Sequence, residues 1–228
     1  MNLILAIDLL NGKVVKAFAG LRFNYSPLVF KNKDLSNPFE LIFQVKQKIN
    51  LRKVYIADLN SIMKIGSNSE LIDRILERFP EMSFLLDCGF DYPKNVYDFH
   101  INKRKKKLEN YRVVLGTETL RNFRIKTYNS FMIFDISLDF NGNEKSWINK
   151  LKSEKLNFGL ILMFLNKVGG RGIDFGLIKT LVKLFPKRDI TVAGGLSSLG
   201  QTNKLSRMGV SNVISSTMIL NMVTRDKI

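Results

Sequence analysis

Eight short apolar runs, longer amphipathic stretches between them and a length of 228 residues together predict an α/β fold, a single (βα)8 TIM barrel occupying 1–228. The runs at 3–9, 54–59, 82–87, 112–115, 131–139, 159–164, 190–193 and 212–215 are the strand candidates, and eight is the barrel's number. Helix signals fall between them. Asn37-Pro38-Phe39-Glu40 offers an N-cap, a proline for the first helical position and an acid in the first turn. Ser67-Asn68-Ser69-Glu70 is a second capped start, and Phe79-Pro80 stops that helix. Asp174 precedes Leu177, Ile178, Leu181, Val182 and Leu184 at helical spacing, before Pro186. Ser197-Ser198 caps a seventh helix that Gly209 ends, and few residues remain for a last one.

Composition narrows the setting. With 45% hydrophobic and 25% charged residues the chain reads as globular. One cysteine, Cys88, excludes an internal disulfide framework and suits a reducing compartment. No apolar run reaches the length of a membrane span, and the first already reads as a core strand rather than a secretory signal. A cytoplasmic location and no membrane partner are expected. The net charge of +16 favours anionic ligands. Its sharpest run, Lys103-Arg104-Lys105-Lys106-Lys107, has no interleaved aromatics and reads as a solvated helix end on the face away from catalysis, so nucleic acid is not the expected partner.

Two acids stand out. Asp8 lies in Leu3-Ile4-Leu5-Ala6-Ile7-Asp8-Leu9, and Asp139 closes 131–139. Strand C-terminal ends in a parallel barrel surround the active-site mouth, so acids from opposite halves can face one substrate. The alternative is that each acid merely accepts backbone N–H bonds. Asp58 and Asp87 also end strands and would enlarge a polar site. No histidine joins these acids, since His100 falls in the third helix region, so a hydrogen-bonded acid cluster is expected rather than a metal site, and no cofactor is implied. Cys88 has no neighbour in sequence that would lower its pKa, and Trp147 reads as a packing residue of the fifth helix. Glycines gather after the later strands: Gly169-Gly170-Arg171-Gly172, then Gly194-Gly195, followed by Ser215-Ser216-Thr217 after the eighth. Barrels often bind phosphate after strands seven and eight, where N–H and hydroxyl donors converge; tight turns needing positive φ are the structural alternative.

These motifs resemble the histidine-biosynthesis barrels, ProFAR isomerase and the cyclase subunit of imidazole glycerol phosphate synthase, nearly end to end. The resemblance is carried by Ala6-Ile7-Asp8-Leu9-Leu10-Asn11-Gly12-Lys13-Val14-Val15-Lys16, Tyr55-Ile56-Ala57-Asp58-Leu59-Asn60, Val114-Leu115-Gly116-Thr117, Ser137-Leu138-Asp139 and Ala193-Gly194-Gly195. Tyr55-Ile56-Ala57-Asp58-Leu59 and Gly116-Thr117-Glu118-Thr119-Leu120 are most similar to the histidine-biosynthesis-related barrels of methanogens and methylotrophs, whose distribution suggests pterin-linked one-carbon metabolism. The resemblance implies an Amadori-type aldose–ketose isomerisation of a phosphorylated small molecule. Asp8 would be the base and Asp139 the general acid. Gly194, Gly195, Ser215, Ser216, Thr217, Gly116, Thr117 and Gly170 would form the substrate and phosphate contacts.

Departures qualify that expectation. The third strand ends in Asp87-Cys88-Gly89-Phe90-Asp91 where the isomerase has a glycine-rich phosphate turn, and two carboxylates there would repel a phosphate. Met163-Phe164-Leu165-Asn166 lacks the family's polar residue on strand six, and Ser216-Thr217 stands where the family has glycine and then usually a basic or small residue. The leading expectation is therefore a divergent isomerase-type enzyme. The alternatives are a non-catalytic barrel that binds a phosphometabolite or a partner enzyme, a genuine histidine-pathway isomerase, and, on charge alone, a basic RNA-binding protein. Oligomeric state is not legible in the sequence.

Overall fold

The structure, a computed structural model, describes residues 1–121, 127–128, 134–142, 144–170 and 172–224. Eight parallel strands close into a barrel: β1 (Asn2–Leu10), β2 (Lys53–Asp58), β3 (Ser83–Asp87), β4 (Tyr111–Gly116), β5 (Phe134–Asp139), β6 (Gly159–Met163), β7 (Ile190–Ala193) and β8 (Asn212–Ser215). Each pairs with the next, and β8 returns to β1 through registers running from Asn2 opposite Asn212 to Leu5 opposite Ser215. The apolar runs therefore mark the strands. The expected bounds fall within one residue of those observed except in the fifth, where 131–133 lie outside the described residues.

The helices are α1 (Pro38–Lys48), a single turn α2 (Leu59–Ile62), α3 (Ser69–Arg78), α4 (Pro93–Lys105), α5 (Glu144–Ser153), α6 (Phe175–Leu184), α7 (Leu199–Arg207) and the short α8 (Thr217–Val223). Asn37 Oδ1 accepts from the N–H groups of Phe39 and Glu40, and Asp174 accepts from that of Leu177, so both caps act on donors a helix start leaves unpaired. The Asn68 side chain instead turns inward, and Ser67 Oγ accepts from the Ser69 N–H. Gln201 Oε1 accepts from the N–H groups of Ser197 and Ser198 ahead of α7. Trp147 packs in the core from α5. Among the described residues no helix is long and apolar enough to cross a membrane.

Two layers of core follow from strand alternation. Leu5, Ile7, Leu9, Ile56, Leu86, Leu115, Ile136 and Leu138 face the helices, while Ile4, Tyr55, Leu85, Val114, Ile161 and Ile214 fill the barrel interior. Small inward residues near the top, Ala6, Ala57 and Ala193, leave that end open.

The connection after β1 is elaborate. Asn11 and Gly12 both have positive φ, and this two-residue turn folds Lys13–Lys16 back antiparallel on Asp8–Leu10, as the right-handed twist of paired strands favours. Ser26–Pro27 adds a third strand to that ribbon.

The basic run corrects an expectation. Arg104, Lys105, Lys106 and Lys107 are exposed, but Lys103 is 1% exposed and ion-paired with Asp73, its Nζ lying over the Phe99 ring. Helix α4 turns that one lysine inward, and burial in turn requires a counter-charge.

Candidate active site

Inside the C-terminal mouth lies a cavity of about 270 Å³, lined by residues from β1, β2, β3, β5, β6, β7 and β8 and by loops beyond them. The loop after β1 and the loop after β6 meet over it, with the Ala19 N–H donating to Val168 O at 3.0 Å. Strand alternation decides which acids enter. Ala6 and Asp8 share the inward parity of β1, Leu85 and Asp87 that of β3, and Ser137 and Asp139 that of β5; Asp8, Asp87 and Asp139 all line the cavity.

Asp139 is the most heavily supported. Its Oδ1 accepts from Ser137 Oγ at 2.7 Å, and its Oδ2 from the Glu118 N–H at 3.0 Å and Thr117 Oγ1 at 3.3 Å. Burial, then the nearby Asp87 and Glu118 charges, still push its pKa up to about 8. Asp87 accepts from Tyr55 Oη at 3.0 Å and from the Gly89 N–H at 3.2 Å; burial first, then Glu118, raises it to about 7. Gly116 makes this pairing of acids possible: a Cβ there would sit 3.3 Å from both Asp139 Oδ2 and Asp87 Oδ2. Asp8, half-buried and without a hydrogen bond to its carboxylate among the described residues, is raised by desolvation to about 6, with Arg22 opposing the rise. Arg22 reaches in from the loop after β1 and pairs with Glu118 at 2.5 Å. Tyr55 stays protonated far above its ordinary range, through burial and then the Asp87, Asp139 and Asp8 charges.

Across the mouth, β7 and β8 present a different surface. Gly194 and Gly195 have φ of +87° and +86°, and a Cβ on either would collide with a backbone carbonyl, Phe164 O or Gly172 O. Both glycines thus have a full structural explanation. They also line the cavity with Gly170, Ser216 and Thr217. Among the described residues the N–H groups of Gly194, Gly195, Ser216 and Thr217 find no protein acceptor, so this corner offers free donors to an anion.

Other expected contacts are corrected. Asp58 does not face this cavity: it has the outward parity of Val54 and Ile56, and accepts from the Ser61 N–H and Oγ and from the Asn68 N–H and Nδ2. Through Asn68 and Asn60 it anchors the Asn11-Gly12 turn, whose N–H groups donate to Asn60 and Asn68. Gly116 and Thr117 do not line the cavity; they make room for Asp139 and hold it. Ser215 lines the cavity as expected, but its hydroxyl is committed to protein, donating to Leu196 O and accepting from the Met218 N–H. Asp91 turns away to Lys64 at 3.2 Å, beside a separate depression between the β2 and β3 loops. Arg171 lies outside the described residues. His100, on α4, meets Tyr111 Oη at the start of β4, away from the cavity, and burial, then Asp58 and Asp87, raises the Cys88 thiol well above its ordinary range.

Arg22, Glu118 and Tyr55 are cavity residues that sequence reasoning did not single out. Tyr55 shares Ala57's inward parity and Glu118 follows closely on β4, so both had a positional signal. Arg22, inside a long connection, had none.

Fold and cavity together define an α/β barrel with an acid-lined pocket at its C-terminal mouth. No family model matches the chain. An uncharacterized protein of Methanocaldococcus jannaschii is similar, 28% identical over 230 residues, which cover 96% of this chain and 93% of that protein.

Proposed function

We propose that this barrel is a divergent paralogue of ProFAR isomerase within the histidine-biosynthesis superfamily, and that it isomerises a phosphorylated sugar or phosphoribosyl amine by Asp/Asp acid–base chemistry. The observation that carries the reading is that Asp8 and Asp139 line one cavity with their pKa values pushed apart, to about 6 and about 8. Near neutral pH the first is mostly a carboxylate and the second mostly an acid, the division of labour such a reaction needs.

In this scheme the phosphate sits against the Gly194, Gly195, Ser216 and Thr217 N–H groups. Asp139 protonates the ring oxygen as the C1–O bond breaks, leaving a protonated imine at C1. Asp8 removes the C2 proton, and the C–H electron pair becomes a C1–C2 double bond while the imine pair returns to nitrogen. Proton return to C1 with loss of the C2 hydroxyl proton gives the aminoketose, an isomer of the starting aldose. The one-carbon setting suggested by the resemblance belongs to the same proposal; adjacent pterin-carrier genes would favour it and adjacent histidine genes the histidine pathway.

The test is incorporation of solvent deuterium at C1 of the product as the C2 proton is lost. A phosphorylated aminoaldose incubated with the protein in D2O is expected to show isomerisation with solvent exchange of the transferred proton, lost in Asp8→Asn. Absence of turnover on every phosphorylated aminoaldose tried, or wild-type rates in both Asp8→Asn and Asp139→Asn, would reject the reading.

A further inference from the structure

We propose that Asp87 is a specificity-determining residue that restricts the cavity to compact ligands with a single phosphate, their far end being an uncharged polyol or an amine. The inference rests on the phosphate-binding role given above to the Gly194 corner.

Three observations carry it. Donors and acids occupy opposite walls: in an eight-stranded barrel β3 faces β7 and β4 faces β8, so the free N–H groups after β7 and β8 look across at Asp87, at the end of β3, and at Glu118 beyond β4. Asp87 also cannot swing aside. It is 4% exposed, Tyr55 Oη and the Gly89 N–H each hold one of its oxygens, and its Oδ2 would stand 3.3 Å from a Cβ on Gly116, the same distance as Asp139 Oδ2. Finally, the space is small: about 270 Å³ falls below the ~300–1,000 Å³ typical of pockets for drug-sized ligands.

A second phosphate against that wall would meet acids, because the Arg22 guanidinium that reaches it is already paired with Glu118, and Lys16, the other described cation lining the cavity, comes from the ribbon beside β1 rather than from the β3–β4 wall. Sugar hydroxyls, by contrast, donate to carboxylates, and an ammonium group pairs with them. Discrimination of this sort works by repelling the wrong ligand as much as by attracting the right one.

Calorimetry with the full chain tests this, using inorganic phosphate, ribose 5-phosphate and ribulose 1,5-bisphosphate as probes. Wild type is expected to bind ribose 5-phosphate at least about tenfold more tightly than the bisphosphate. Asp87→Asn, which keeps the shape but not the charge, is expected to narrow that ratio to about threefold or less, and Asp87→Ser serves where the Asn variant fails to fold. Equal affinity of wild type for the two sugars, or an unchanged ratio in a folded Asp87 variant, would overturn the inference while leaving the phosphate corner standing. Binding of none of the three probes would refute the corner itself and this inference with it.

Discussion

The Thr117 hydroxyl accepts a hydrogen bond from the Asp139 N–H at 2.9 Å and donates to Oδ2 of the same residue at 3.3 Å. The residue following β4 therefore fixes both the backbone and the carboxylate at the end of β5. If turnover is found, Asp8→Asn and Asp139→Asn should each lower kcat by about two to four orders of magnitude. Thr117→Val should lower kcat by about tenfold with KM little changed, since it loosens an acid that does the chemistry without touching substrate, and Thr117→Ser should restore the rate. A Thr117→Val enzyme with wild-type kcat would show that Asp139 needs no such support.

The pH–rate profile should be a bell. Activity rises as Asp8 loses its proton near pH 6 and falls as Asp139 loses its own near pH 8, which places the maximum near neutrality. The basic limb should disappear from the residual activity of Asp139→Asn. A profile that instead keeps rising through pH 9 would remove Asp139 as the general acid.

Stability should move the other way from that of most carboxylate-bearing proteins. Folding raises the Asp139 pKa from 3.8 to about 8, so between those values the folded state holds a proton that the unfolded state has released. The resulting stability is fully present below about pH 4 and is lost as pH rises through 8, at about 1.4 kcal/mol per pH unit inside the window. Asp87 and Asp8, raised to about 7 and about 6, add to the same trend. Urea unfolding should give lower stability at pH 8.5 than at pH 5.5, and Asp139→Asn should flatten the difference. A rise in stability between those pH values would contradict the burial of the acid cluster.

How much of this was legible in the sequence depends on what fixes each feature. Strands showed as apolar runs and helix starts as Asn37 and Asp174 because both signals are local. Inward parity was harder. Strands buried on both faces are apolar throughout, so hydrophobicity alone along the run 54–59 does not say which side Asp58 takes. Counting from the small residues does: Ala6 and Ala57 mark the interior, which puts Asp8 inside and Asp58 outside. Arg22 reaches Glu118 across a separation of 96 residues through a connection with no periodicity, and no sequence pattern announces such a pair.

Lys103 carries a prediction about the opposite side of the chain's chemistry, its core. Asp73, 6% exposed, pairs with both Lys103 and Lys106, the latter at 2.5 Å. Asp73→Ala leaves Lys103 buried without a counter-charge and should destabilise the fold by about 3–5 kcal/mol. Lys103→Met should cost clearly less, because Lys106 still pairs with Asp73. Equal losses in denaturant unfolding of the two variants would mean that Lys106 contributes nothing to the pair.

Complementation addresses the pathway. Expression of this chain in a host lacking ProFAR isomerase should fail to restore growth without histidine. The histidine-pathway substrate carries a phosphate at each end; among the described residues the free N–H donors of Gly194, Gly195, Ser216 and Thr217 gather at one corner of the cavity, while Asp87 and Glu118 face them and Asp139 stands beside Asp87. Asp91, which as a strand-end neighbour looked like a second repelling charge, is engaged by Lys64 outside the cavity, so the obstacle falls to Asp87 and its two acidic companions. Asp87→Asn should not by itself rescue growth, because about 270 Å³ remains small for a ligand of two phosphoribosyl units. Robust growth with the wild-type chain would show that the cavity opens and neutralises its acids on binding, and that the histidine-pathway reaction is within its reach.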